Sequence, residues 1–353
     1  MTDFPPAGTV SPAPMPLQPQ HFAPPPPARR GRLGTWILAI LLLGSILANL
    51  VLLASLGAGL ISAPQKLRAT TLENPRAKYA VAVIRVEGVI TDEPIGGWGA
   101  RGTDTLFLKE QVDQALADDT VKAVVLKVDS PGGSASASDN MLHELYRIRQ
   151  TDKPLIVHMG GLAASGGYYV SMAGEKIYAQ PTCITGSIGV LGQFMTVEGL
   201  FKDILHIDVH TIKSGPYKDV GNPFRQLTEQ EQAYLHDTLI IPMYNRFVDM
   251  VVAGRKDLSA DRIRQLADGR IFTAPQAVEN GLIDEIGFFE DAVKEAMKRA
   301  SLDEARLVEY RRQLGLFDLL TMSAEGANKP FLQVTPDTIN AWSTPRVMLL
   351  WRP

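Results

Sequence analysis

Cysteine is nearly absent: Cys183 is the single thiol in 353 residues. No intrachain disulfide can form, and the apolar neighbours of Cys183 mark it as a buried thiol rather than a reactive one. An excess of positive charge is lacking too. A net charge of −3 leaves no reason to expect a nucleic-acid partner. No G-x-x-x-x-G-K-[ST] or G-x-G-x-x-G pattern stands in the glycine-rich stretches, so a phosphate cradle is unsupported. Residues 33–65 contain no charge at all.

That last absence is informative. The apolar heart of the run, residues 36–61, would span about 39 Å as a helix at ~1.5 Å per residue, more than the ~30 Å hydrocarbon core. A cleaved signal peptide has an apolar region of about 7–15 residues, and Ile61-Ser62-Ala63-Pro64 is a poor cleavage site. An uncleaved anchor over residues 35–62 is expected, with Asn49 as a tolerated polar residue or a bond to a neighbouring helix. Arg29, Arg30 and Arg32 lie closer to the span than Lys66, Arg68, Arg76 and Lys78. Charge decides orientation weakly, but the closer cluster leans towards a cytoplasmic N-terminus and an external globular part. Ahead of the span, residues 1–28 hold ten of the 24 prolines. Residues 1–34 therefore read as a disordered, partly polyproline II tail, with a ligand for a proline-binding module as the lesser reading.

Residues 63–77 read as a polar linker. Strand and helix patterns then alternate. Residues 79–86, 121–128, 154–159, 176–179 and 206–212 read as strands. Residues 104–118, a stretch around 141–148, and residues 229–252, 258–267 and 288–300 read as helices. This is an α/β pattern with a mostly parallel sheet. In such folds ligands gather at the carboxyl ends of strands, where loops 129–134, 160–168 and 213–219 could converge on one site. Residues after 314 show weak periodicity.

Ser165 stands in Gly-Gly-Leu-Ala-Ala-Ser-Gly-Gly-Tyr-Tyr, residues 160–169. Small neighbours let backbone amides approach a ligand, and free amides at a helix start suit an oxyanion. The plain alternative is a serine N-cap. The match to a G-x-S-x-G elbow is imperfect, because Ala163 precedes Ser165 by two residues. Ser130-Pro131-Gly132-Gly133 either offers a second oxyanion donor or is an ordinary strand-to-helix turn. A nucleophilic serine needs a base. His143, His158, His206, His210 and His236 all fall on strand or helix patterns rather than in glycine-rich loops. Lysine is the other candidate. At a pKa of ~10.4 only about 0.04% is neutral at pH 7, so burial must lower that value. Lys213 and Lys218 both fit this requirement.

Four motifs in order, D-S-P-G-G-S at 129–134, A-A-S-G-G-Y-Y at 163–169, T-G-S-I-G at 185–189 and S-G-x-Y-K-D at 214–219, resemble the short form of signal peptide peptidase A, peptidase family S49, in the ClpP/crotonase superfamily. The similarity covers roughly residues 78–300, including G-R-I-F-T-A-P-Q-A-V-E-N-G-L-I-D-E-I-G at 269–287. It leaves residues 301–353 as an extension of unknown role. The resemblance implies repeated ββα-type units behind a single transmembrane helix. It implies Ser165 as nucleophile, Lys218 rather than Lys213 as general base, Ser187 orienting that lysine, and Gly133 with Gly166 as the oxyanion hole. Also implied are no cofactor and no metal, apolar peptide substrates such as signal peptide remnants, and a homo-oligomeric ring, by resemblance an octamer. The place implied is the bacterial inner membrane, with the peptidase domain outside the cytoplasm. The competing readings are a catalytically silent membrane scaffold, an acyl-CoA enzyme on the same fold, and a Ser-His-Asp peptidase.

Overall fold

Near-continuous apolar runs, rich in valine and isoleucine, build the centre of the sheet. The computed structural model describes residues 32–60, 67–94, 102–312 and 346–350. It divides into two units, residues 1–64 and 65–353. In the first, helix α1 (Arg32–Leu60) carries exposed apolar side chains from Trp36 to Leu53 and is long and apolar enough to cross a membrane. Asn49 donates to the Ser45 carbonyl at 2.7 Å. Its amide is thus partly satisfied within the helix. Most of the proline-rich tail lies outside the described residues.

In the second unit, strands β1 (Arg68–Glu73), β2 (Ala80–Thr91), β3 (Gly102–Asp104), β4 (Val121–Ser134), β5 (Leu155–Ala164), β6 (Lys176–Ala179), β7 (Ile184–Gly186), β8 (Leu191–Gln193), β9 (Ile271–Thr273), β10 (Glu285–Ile286), β11 (Arg306–Arg311) and β12 (Arg346–Leu350) form one sheet. Its central path runs β1-β11-β2-β4-β5-β6-β10. From β11 to β10 all neighbours are parallel. Parallel strands need crossovers, and the helices that supply them cover both faces.

Helices α2 (Thr105–Ala117), α3 (Ala135–Arg149) and α4 (Gly166–Ser171) lie over one face. There Ala82, Ile84, Leu126, Val128 and Val157 pack with Leu108, Met141 and Leu145. The alternate residues Val81, Ala123, Val125 and Ile156 point to the other face, against Ala292, Val293 and Ala296 of the helix Phe289–Arg299. Burial on both faces explains why these strands lack a polar period. Asp104 caps α2 by accepting from the Phe107 amide at 2.8 Å, and Ser134 caps α3 by accepting from Ala137 at 3.2 Å.

The α/β reading and its parallel sheet are borne out, with three local corrections. Strands β4 and β5 continue through Asp-Ser-Pro-Gly-Gly-Ser and Gly-Gly-Leu-Ala-Ala, so the glycines belong to strand ends rather than to loops after them. Residues 206–212 are not a strand. Ile207, Val209 and Ile212 are exposed, and no neighbouring strand completes a ladder among the described residues. The helix read over 229–252 is helix α5 (Glu229–Leu235), a π-helical turn (His236–Ile240) and helix α6 (Ile241–Gly254). Pro242 lacks the amide that would continue the α-helical ladder, and the wider turn absorbs the loss. Beyond these, β1 lies within the stretch read as a linker. Its residues are mostly exposed, so they carry no apolar alternation. Strand β11 carries the sheet past residue 300, pairing with both β1 and β2.

Candidate active site

Strand β5 ends at Ala164 and α4 begins at Gly166, leaving Ser165 alone at the turn. Its backbone sits at φ 54° and ψ −116°, a region costing a non-glycine residue roughly 1–3 kcal/mol. Surrounding bonds hold it there. The Ser165 amide donates to the Gly186 carbonyl at 2.8 Å, and the Tyr169 amide donates to the Ser165 carbonyl at 2.8 Å. Tyr168 and Tyr169, both buried, tie the short helix to the core through bonds to the Leu282 carbonyl (2.7 Å) and the Asp139 carboxylate. Ser165 occupies the N-cap position, yet its hydroxyl makes no capping bond. The capping alternative therefore holds in place but not in chemistry.

The glycines around this turn are there for closeness. A Cβ on Gly166 would stand 2.5 Å from Ser138 Oγ, and one on Gly167 would stand 2.7 Å from the Ser130 carbonyl. Gly132, at φ +94°, would put a Cβ 2.6 Å from the Gly166 amide nitrogen. Strand β4 and helix α4 thus meet backbone to backbone. Ser130 fastens this corner: its hydroxyl donates to the Gly88 carbonyl (2.6 Å) and accepts from the Gly132 amide (3.0 Å). That bond engages the Gly132 amide. Gly133, the next residue, lies against Ile90 of β2, where a Cβ would meet the Ile90 carbonyl at 2.0 Å.

Strand β7 pairs with β5, and Thr185 locks the pair by donating to the Ala163 carbonyl at 2.6 Å. This brings Ser187, with φ 49° and its amide bonded to the Arg270 carbonyl at 2.8 Å, to the same cavity as Ser165. The cavity measures about 310 Å³, and Val190, Leu191, Tyr244, Asp268 and Leu350 also line it. Ser165 is 1% exposed. The Arg270 guanidinium holds the Asp268 carboxyl down to about 2, so this group faces the cavity as a carboxylate. Asp268, Tyr244 and Leu350 were not legible as site residues, because none belongs to a glycine-rich motif.

Lys218 stands elsewhere. It is exposed on the turn after Ser214, does not line the Ser165 cavity, and its ammonium has no hydrogen-bond or ion-pair partner among the described residues. Lys213 is committed: its ammonium pairs with Asp219 at 2.6 Å and bonds the Pro216 carbonyl at 3.1 Å. Arg225 bridges Asp219 to Glu231, and these bonds pull the Glu231 carboxyl down to about 2. None of the five globular histidines lines the cavity. His158 is buried on β5 against Phe289, and burial lowers its pKa to about 4. His143, His206, His210 and His236 are exposed. Burial pushes the Cys183 thiol up to about 12, as an unreactive core thiol requires.

A parallel α/β sheet with a strained serine at a strand-to-helix turn, fronting a cavity at the carboxyl ends of the strands, has the architecture of a hydrolase. Comparison with known proteins narrows that class. Peptidase family S49 matches residues 147–303. A candidate signal peptide peptidase SppA of Enterococcus faecium is 35% identical over 250 residues, which is 68% of this chain and 70% of that protein. Protease 4 of Salmonella typhi is 36% identical over 265 residues, covering 74% of this chain and 41% of that protein. The chloroplastic serine protease SPPA of Arabidopsis thaliana is 33% identical over 237 residues, 66% of this chain and 34% of that protein. The chain belongs to peptidase family S49 and is a peptidase.

Proposed function

We propose that this protein is a membrane-anchored serine endopeptidase, using a Ser165–Lys218 dyad to degrade cleaved signal peptides and other apolar peptides. The observation that carries the reading is the uncapped hydroxyl of Ser165, held on a strained turn at a cavity. Lys218 takes the Ser165 proton as the hydroxyl attacks a peptide carbonyl. The amides of Gly133 and Gly166 hold the oxyanion. The lysine then protonates the leaving amine, and water releases the acyl-enzyme. Ser187, in the same cavity as Ser165, orients the lysine.

Such a dyad needs Lys218 next to Ser165. The turn that carries it follows a stretch whose Leu205, Ile207, Val209 and Ile212 are exposed, as is Tyr217. An apolar surface of this kind is suited to an interface. A homo-oligomeric ring buries that surface and delivers Lys218 of one copy to Ser165 of the next. Helix α1 anchors the ring in the bacterial inner membrane, with the N-terminus cytoplasmic and the peptidase domain outside.

The test is hydrolysis of apolar peptides by the full chain beside Ser165→Ala and Lys218→Ala. Each variant is expected to lose about 10⁴-fold or more while staying folded by circular dichroism. Mixing the two inactive variants should restore part of the activity if the dyad spans two copies. A fully active Lys218→Ala protein would defeat the base assignment.

A further inference from the structure

A general base must be held at a fixed place, yet the Lys218 ammonium has no partner among the described residues. Its two neighbours in sequence are fastened instead. The Tyr217 ring stacks on the Tyr234 ring, with centroids 4.6 Å apart and planes inclined by 23°. Asp219 is gripped by Arg225, whose Nε and Nη2 donate to its two carboxylate oxygens at 3.0 and 2.9 Å. Nη2 also donates to the Asp219 carbonyl at 3.2 Å. The planar guanidinium thus fixes side chain and backbone of Asp219 together. Between these fastenings the Lys218 amide donates to the Gly215 carbonyl, and the Val220 amide to the Tyr217 carbonyl, both at 3.3 Å.

Both fastenings end on one short helix. Arg225 donates from Nη1 and Nη2 to Glu231 at 2.8 and 2.5 Å. Glu231 and Tyr234 both belong to α5, and a spacing of three residues puts them on one helix face. Glu231 is 5% exposed and closes the capping box of α5. Its carboxylate accepts from the Thr228 amide at 3.0 Å, and its own amide donates to the Thr228 hydroxyl at 3.2 Å. Helix α5 leads through the π-helical turn into α6, where buried Phe247 meets Tyr169 edge-on at 5.0 Å. The contacts therefore run from the residues on either side of Lys218 back into the core. Tyr217 and Tyr234 stay 47% and 42% exposed. Rings that keep so much of their area in water add little to stability, so the use of the stack is geometric.

We infer that α5 is the platform that positions the base: Tyr234, acting through Tyr217, and Glu231, acting through Arg225 and Asp219, are positioning residues for Lys218. This rests on the reading of Lys218 as the base of Ser165. A reacting group misplaced by about 1 Å costs on the order of 10²-fold. The platform therefore sets rate rather than affinity.

Peptide hydrolysis by the full chain in detergent tests this. Tyr234→Ala and Arg225→Gln should each lower kcat about 10–100-fold, with KM within about twofold. The mass of the assembly should stay unchanged by sedimentation. Tyr234→Phe keeps the stack and should keep kcat within about twofold. An inactive Tyr234→Phe protein overturns positioning through the rings. Loss of activity with a smaller assembly also overturns it, because the residues then hold an interface. The decisive measurement is Lys218→Ala/Tyr234→Ala on an activated ester of an apolar peptide. Without the lysine nothing is left to position, so the rate should match Lys218→Ala within about twofold. A further fall of about tenfold makes Tyr234 a structural residue and overturns the inference. A fully active Lys218→Ala protein removes the base reading itself. Inactive Lys218→Ala beside fully active Tyr234→Ala and Arg225→Gln removes the platform alone.

Discussion

The turn around Ser165 is enclosed by β5, β7 and α4, with the serine 1% exposed and its backbone bonded on both sides. The turn around Lys218 has Pro216, Tyr217 and Lys218 exposed, and its main fastening is the ion-pair chain Lys213–Asp219–Arg225–Glu231. One region stores backbone strain that a packed core can hold in place. The other is shaped by partly exposed charges, whose bonds are weak in water and screened by salt. A nucleophile can be set by one chain's own packing. A free lysine on an exposed turn takes its chemical meaning from whatever comes to cover it.

Gly132→Ala attacks the enclosed side hardest. Its Cβ would sit 2.6 Å from the Gly166 nitrogen on a backbone at φ +94°. A loss of about 10²-fold or more in kcat/KM is expected from displacing the corner, read by peptide hydrolysis.

Acid should separate the two regions next. His158 lies on β5, which leads to Ser165, and its pKa falls from 6.5 to about 4 in the fold. The unfolded chain therefore takes up this proton first. Stability is complete above pH 6.5 and is lost as pH falls from 6.5 towards 4, by on the order of 3 kcal/mol. Glu231 behaves differently, with a folded value of about 2 against 4.5. Its contribution is present above pH 4.5 and is lost only from 4.5 down towards 2. Thermal melts from pH 7 to 4 should flatten in His158→Leu and keep their slope in Glu231→Gln.

Tyr168→Phe removes the bond to the Leu282 carbonyl (2.7 Å) in a buried place. The cost is about 1–3 kcal/mol, measured by denaturant midpoint. The smallest effect belongs to the exposed turn. A Cβ on Gly215 meets nothing within 4 Å, so Gly215→Ala should shift stability by no more than about 0.5 kcal/mol. A large destabilisation there would break the contrast between the two turns.

Legibility in the sequence followed the same division. The buried strands announced themselves because β-branched runs have few other uses, and 176–179 matches β6 to the residue. Residues 206–212 are also rich in β-branched side chains and misled, since a strand requires a partner edge that local pattern cannot report. The ends of β4 and β5 were read as loops because glycine and proline usually break strands. Here those glycines allow close backbone approach. Strand β12 was invisible: its five residues carry too short a pattern, and their meaning lies in the two edges they bridge.

By itself the sequence determined the alternation of strands and helices, the apolar helix near its start, and the small residues that free the Ser165 hydroxyl. These are local properties, set by side-chain shape and period. Only the tertiary structure decided that Ser165 and Ser187 share a cavity, that Lys213 is tied to Asp219 while Lys218 stands free outside, and that Leu349 lies over the glycine corner. Each of those depends on segments far apart in the chain meeting across a sheet, and sequence spacing carries no record of which edges are left open to meet.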